Sequence, residues 1–62
     1  MEFVEDPFSR FGLTKAASCF DKVQAKKTGA VWEKEGYTVI GILDTDHRWG
    51  VYIKDFVPPK QN

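Results

Sequence analysis

Asp44, Asp46 and His47 form the one cluster of titratable side chains in the sequence that could bind a metal or transfer a proton. They fall in the stretch DTDHR (44–48), between two apolar runs. Aspartate favours turns because its carboxylate accepts hydrogen bonds from nearby backbone N–H groups. We therefore interpret this stretch as the turn of a hairpin, and we predict no metal site and no cofactor.

Cys19 is the only cysteine and a candidate nucleophile. It shares the apolar stripe of a predicted helix, where cysteine behaves as a small hydrophobic side chain. Because one cysteine cannot close a disulfide within the chain, a reducing compartment is favoured. The sequence also contains no glycine-rich phosphate loop and no nucleophile elbow. We therefore predict no catalytic residue and a protein that is not an enzyme.

The composition is that of one small folded domain over residues 1–62, with 42% hydrophobic and 15% aromatic residues. Nine basic residues balance nine acidic ones, so no overall field attracts nucleic acid or an anionic membrane. The longest apolar run, from Val39 to Leu43, is far too short to span a membrane. The acidic start lacks the positive region of a signal peptide. We expect a cytoplasmic protein without a membrane partner.

A helix is predicted over about residues 14–28. Apolar residues from Leu13 to Val23 recur at three- and four-residue spacing, which is typical of one face of a helix. Thr14 is a candidate N-cap. Gly29 follows two lysines and suits a helix end, where glycine is free to adopt positive φ.

Three strands are predicted at about residues 30–34, 37–44 and 48–57, where the apolar period changes to two. Gly36 suits a tight turn between the first two strands. The predicted fold class is therefore α+β, with the helix packed on a three-stranded antiparallel meander. The N-terminal residues either add a fourth strand or lie as an arm. A small SH3-like β-barrel is the alternative fold.

The aromatic rings are too numerous for a small sheet that one helix covers on one face. Some must then be exposed or buried by another molecule, and exposed tryptophan and tyrosine side chains are enriched as interface anchors. The alternative is that the N-terminal arm and the proline-containing tail cover the second face. On the first interpretation the protein is a non-enzymatic protein-binding module. The predicted partner-binding residues are Trp49, Tyr52, Phe56 and Trp32.

A small dimeric nucleic-acid-binding protein is the alternative function. Lysines make the exposed side of the predicted helix basic. Two such helices in a homodimer would form a continuous basic strip against phosphates. The residues predicted for this role are Arg10, Lys15, Lys34 and Arg48.

The segment SRFGLTKAASCFDKVQAKKTG followed by AVWEKEGYTVIGILD resembles the DNA-binding half of Phd/YefM-type antitoxins, over about residues 1–44. That family has a short N-terminal strand, helices, and a hairpin whose turn precedes an apolar run. The stretch EKEGYTVIGIL occupies the place of that hairpin here. The resemblance implies a dimer formed through the sheet, with Arg10, Lys15 and Lys34 facing operator phosphates. It also implies a C-terminal third that wraps a toxin, although RWGVYIKDFVPP has the pattern of a strand.

The predicted function is therefore an antitoxin-like regulator or inhibitor that binds a partner protein through the aromatic residues of its hairpin. A phage-type inhibitor of a host enzyme is a related expectation. It would have the same neutral charge and the same single small domain.

Overall fold

Four strands, one short 3-10 helix and one α-helix make up residues 1–54, the part of the chain that this computed structural model describes. In chain order they are β1 (Glu2–Val4), the 3-10 helix (Pro7–Arg10), β2 (Thr14–Cys19), α1 (Lys22–Lys34), β3 (Thr38–Leu43) and β4 (Trp49–Lys54). The predicted α+β class with one main helix is confirmed. None of the helices in residues 1–54 is long and apolar enough to cross a membrane.

The sheet is mixed, with the strand order β1-β3-β4-β2. β1 runs parallel to β3, whereas β4 is antiparallel to both of its neighbours. The predicted three-stranded meander is not matched. Residues 30–34, predicted as its first strand, belong to α1, and the sheet contains β1 and β2 in addition to β3 and β4. β1 and β2 lie at opposite ends of the strand order, so these strands form an open sheet and not an SH3-like barrel.

The α-helix begins at Lys22, later than predicted. Its N-cap is Asp21, whose side chain accepts a hydrogen bond from the backbone N–H of Gln24 at 2.8 Å. The Gln24 side chain in turn accepts from the backbone N–H of Phe20 at 3.4 Å, so two donors at the helix start are satisfied reciprocally. Gly36, with φ of 96°, follows the C-cap and provides the left-handed residue that ends the helix.

The predicted start of the helix, residues 14–19, is instead the edge strand β2. It pairs antiparallel with β4, from Thr14 opposite Ile53 to Cys19 opposite Trp49. Alanine and lysine favour helix, but β4, which is buried along residues 49–53, lies beside them. Pairing with that strand overrides the local preference.

One face of the sheet packs against α1 and forms the core. Gly29, which was predicted to end the helix, lies inside α1, where it packs against Met1 and Val39. A Cβ atom on Gly29 would lie 2.6 Å from the Sδ atom of Met1 and 3.1 Å from a methyl group of Val39. The small size of glycine therefore serves a close approach here and not a helix end. The buried members of this core are Cys19, Ala25, Val39, Trp49, Val51 and Ile53.

The second face of the sheet is crossed by residues 5–13, which connect β1 at one edge to β2 at the other. The 3-10 helix in this connection lies against β3. Asp6 caps it, accepting a hydrogen bond from the backbone N–H of Phe8 at 3.0 Å, and Pro7 follows the cap. Cover by the N-terminal segment, one of the two alternatives left open by the sequence, is therefore observed. The proline-containing tail lies outside the described residues.

The strands β3 and β4 form the predicted hairpin within one or two residues at each described end. The turn at 44–48 is also confirmed. The backbone N–H of Asp44 donates to the carbonyl of Arg48 at 2.9 Å, and that of His47 donates to the carbonyl of Asp44 at 3.1 Å. The end of the predicted third strand, including Phe56, lies outside the described residues.

Candidate functional site

The carboxylate of Asp44 is buried at the end of β3, on the sheet face opposite α1, with only 4% of its side chain exposed. The Tyr52 hydroxyl donates to it at 2.9 Å, and the Lys15 ammonium donates at 2.9 Å. The guanidinium of Arg10 lies 3.5 Å from the same carboxylate. One buried anion is thus held by hydrogen bonds from Lys15 and Tyr52 and by an ion pair with Arg10, and two of its three partners carry positive charge. We call these four residues the Asp44 cluster.

The sheet register brings these side chains together. Lys15 in β2 lies opposite Tyr52 in β4, so both side chains point to the face that residues 5–13 cross. Gly50 precedes Tyr52 by two residues and therefore shares its face. A Cβ atom on Gly50 would lie 2.5 Å from the Tyr52 ring and 2.6 Å from Oδ2 of Asp44. The Tyr52 ring can reach Asp44 because residue 50 has no side chain.

We predict that Gly50→Ala destabilises the protein by about 1–3 kcal/mol, because the added methyl group must displace the Tyr52 ring or the Asp44 carboxylate. Urea unfolding followed by tryptophan fluorescence measures this loss. In a Tyr52→Val background, where the ring is absent, the same substitution should cost less. A Gly50→Ala variant as stable as the parent protein would contradict the placement of the ring.

The cluster keeps Asp44 ionised. Burial acts to raise the pKa of Asp44, but the hydrogen bonds from Lys15 and Tyr52 and the charges of Lys15 and Arg10 outweigh it, so the pKa lies below its usual 3.8. The hydrogen bond to Asp44 raises the pKa of Lys15 above its usual 10.5. Burial and the bond to Asp44 raise the pKa of Tyr52 above its usual 10.0. A carboxylate with these donors is poorly placed to accept a proton from a substrate, and its evident effect is to fasten Arg10 to the sheet.

Two phenylalanine side chains project into solvent from the segment that Arg10 fastens. Phe8 is 73% exposed and Phe11 is 76% exposed. Their rings are nearly parallel, with an interplanar angle of 10° and 6.4 Å between ring centroids. A 3-10 helix has three residues per turn, so side chains three residues apart lie on the same side. We call this surface the phenylalanine pair.

Two of the four predicted partner-binding residues are buried. Trp49 is 9% exposed and Tyr52 is 5% exposed. The Trp49 ring packs edge-on against Phe3, with 5.4 Å between centroids, and the Lys22 ammonium lies 5.1 Å from its centroid. Neither side chain is thus placed to be a surface anchor. Trp32 is half-buried against the core.

The predicted nucleic-acid-binding residues do not form one surface. Arg10 and Lys15 meet at Asp44 on the second face of the sheet. Lys34 lies in the last turn of α1, on the other side of the sheet. The guanidinium of Arg48 lies over the exposed ring of Phe20, 4.4 Å from its centroid. Of these four residues only Lys34 belongs to α1, so they do not share a single helix face.

The cluster of titratable residues at 44–48 is divided by the turn. Asp44 points to Tyr52 and Lys15, whereas Asp46 accepts a hydrogen bond from the backbone N–H of Arg48 at 3.0 Å. Within residues 1–54, no three His, Cys, Asp or Glu side chains are grouped to hold a metal ion. Cys19 is buried on the face of the sheet that packs against α1.

Sequence reasoning missed the phenylalanine pair and the burial of Asp44. The signal for the pair is the stretch DPFSRF (6–11), in which a capping aspartate and a proline precede two phenylalanines three residues apart. No local signal indicates that Asp44 is buried. Its partners come from three other segments of the chain, and only the sheet register brings them together.

Comparisons of this chain with protein-family models, with curated proteins and with solved structures found no match.

Proposed function

We propose that this protein is a non-enzymatic protein-binding module that contacts a partner protein through the phenylalanine pair. The observation that carries the proposal is the exposure of Phe8 and Phe11, more than 70% for each, on a segment held against the sheet. Clusters of exposed aromatic side chains are uncommon on small folded proteins and mark interaction sites. Antitoxin-like regulation and phage-type inhibition of a host enzyme are two forms of this role.

The segment that displays the pair is ordered before any partner binds. Asp6 caps the 3-10 helix, Pro7 fixes its first backbone angle, and Arg10 is paired with the buried Asp44. A contact surface that is already ordered loses less conformational entropy on binding. The Asp44 cluster therefore supports binding by positioning the phenylalanine pair rather than by chemistry of its own.

The earlier assignment to the hairpin aromatics is replaced in this proposal. Trp49 and Tyr52 stabilise the fold, and Phe8 and Phe11 take their place as anchors. The antitoxin resemblance implies a helical segment over residues 9–29, whereas β2 occupies its middle. Our proposal therefore depends on the exposed surface, and the resemblance adds only the suggestion that the partner is a toxin or another enzyme.

We predict that Phe8→Ser combined with Phe11→Ser weakens partner binding at least about tenfold, since large exposed rings at the centre of an interface are typical hot spots. Its stability should change by less than about 0.5 kcal/mol, because the rings are exposed. Light scattering on a sizing column first shows whether the partner is a second copy. If the protein is monomeric, quantitative capture from cells that express a tagged chain measures foreign partners.

The control for this experiment is Phe20→Ser, which removes another exposed ring, 71% exposed, from a different segment. It should leave the dimer or the captured partner unchanged. Equal binding by the double variant and the parent protein would contradict the proposal. So would a loss of binding with Phe20→Ser alone.

A further inference from the structure

The outward side of α1 carries an apolar and basic seam. Val23, Lys27, Ala30 and Lys34 follow one another at spacings of four, three and four residues and are all exposed. This is the spacing at which one helix presents a continuous line of side chains to another. Val31 lies beside the line and is 63% exposed, while Val23 is 64% exposed. We call these five residues the helix seam.

The seam contains no acidic side chain. Of the acids close to it in sequence, Asp21 caps the N-terminus and Glu33 lies 3.5 Å from the amino group of Met1, whereas Glu35 is exposed at the C-cap, directly after Lys34. Within residues 1–54, the seam lysines Lys27 and Lys34 make no ion pair. Two exposed valines thus lie among lysines that form no ion pair within residues 1–54.

We propose that the helix seam binds an amphipathic helix of a partner protein that carries glutamate or aspartate beside its apolar line. The valines supply apolar contact, and the lysines supply two positive charges about one heptad apart. The helix has 13 residues and is about 20 Å long, and the seam extends along most of it. A partner helix of three to four turns matches that length. This surface lies on the side of the sheet opposite the Asp44 cluster, and the proposal is independent of the phenylalanine pair.

Charge complementarity selects this occupant over the others. A second copy would bring the same lysines to the interface, and like charges repel. A polyphosphate would bind the lysines but would gain nothing from exposed valines. An anionic bilayer is a poor match, because helices that lie in membranes present large apolar residues, and the apolar residues of this seam are two valines and an alanine.

The test uses two synthetic helical peptides of equal length with the same apolar line, flanked by glutamates in one and by lysines in the other. Fluorescence anisotropy with the full chain should show binding of the glutamate peptide and at least about tenfold weaker binding of the lysine peptide. Binding of the glutamate peptide should weaken between low and physiological salt, because exposed ion pairs are screened.

Two variants separate the charged and apolar contributions. Lys27→Gln with Lys34→Gln removes the charges, and Val23→Ala with Val31→Ala removes the apolar contacts with residues that favour helix more than valine does. Each pair should weaken binding of the glutamate peptide several-fold. The control Lys54→Gln removes an exposed cation from β4 and should bind normally.

Three results would overturn the proposal: no binding of the glutamate peptide up to about millimolar concentration, equal binding of both peptides, or binding that the valine variant leaves unchanged. The last result, together with competition by inorganic polyphosphate, would assign the seam to phosphates. Since the variant lacking Phe8 and Phe11 should still bind the peptide, failure at one surface is distinguishable from failure at the other.

Discussion

Trp49→Ala is expected to remove a large share of the protein's stability, and not to weaken a partner contact while the fold keeps its full stability. The side chain is 9% exposed and packs against Phe3 and beneath Lys22. Truncating a buried tryptophan typically costs about 3–5 kcal/mol. A chain of 62 residues has a total stability of roughly 3–9 kcal/mol. The substitution therefore removes a large share of the available stability.

Far-UV circular dichroism and urea unfolding, followed by the remaining Trp32, measure this effect. The matched control is Phe20→Ala, which removes a ring that is 71% exposed. The control should shift the free energy of unfolding by about 1 kcal/mol or less, including the loss of the contact with Arg48. If Trp49→Ala kept the midpoint of the parent protein and lost only a binding activity, Trp49 would be an anchor after all.

Asp44→Asn is expected to cost about 2–3 kcal/mol, because the neutral amide cannot balance the two cations and can satisfy fewer of the donors that meet there. The cost is below that of a fully buried pair. Lys15 and Arg10 are 41% and 45% exposed, so water solvates part of their charge. Thermal or urea unfolding gives the value. Asp46→Asn makes the same chemical change two residues away and should be nearly neutral, since an asparagine oxygen can still accept from the backbone of Arg48.

Asp44→Asn should also make the free energy of unfolding less dependent on pH in the acid range. The folded-state pKa of Asp44 lies below its usual 3.8, so the unfolded state binds the proton first. Stability from this group is present above the unfolded-state pKa and is lost as the pH falls through the folded-state pKa. The difference in stability between the parent protein and Asp44→Asn should therefore shrink as the pH falls below about 4. A difference that stayed constant down to pH 2 would show that the charge of Asp44 contributes nothing.

The hairpin was predictable from sequence because its signals are local. Val39 to Leu43 and Trp49 to Ile53 have strand patterns, and a polar turn separates them. The start of the helix was predicted too early because the apolar spacing from Leu13 to Val23 fits a helix. In the structure the first half of that segment pairs with β4 as a strand. The capping pair Asp21 and Gln24 was the better start signal.

The end of the helix was also predicted wrongly, because the role of Gly29 depends on residues far from it in the sequence. Gly29 was predicted to end the helix, but it lies inside α1, where the Met1 side chain packs against it. The glycine that ends the helix is Gly36, with φ of 96°. A sequence shows that a glycine is present, but whether it serves a turn or a close approach depends on residues far away. The Asp44 cluster was unpredictable for the same reason.

The strand pairing also determines when each strand can find its partner during synthesis on the ribosome. β1 pairs with β3, and β2 pairs with β4, so the first two strands made on the ribosome both wait for strands made later. Of the elements in residues 1–54, the helices alone can form from their own residues. The sheet can close only after residue 54 has left the exit tunnel, and until then the apolar side chains of β2 have no native strand partner. Complete pairing of the sheet is therefore a late event relative to the synthesis of its first two strands.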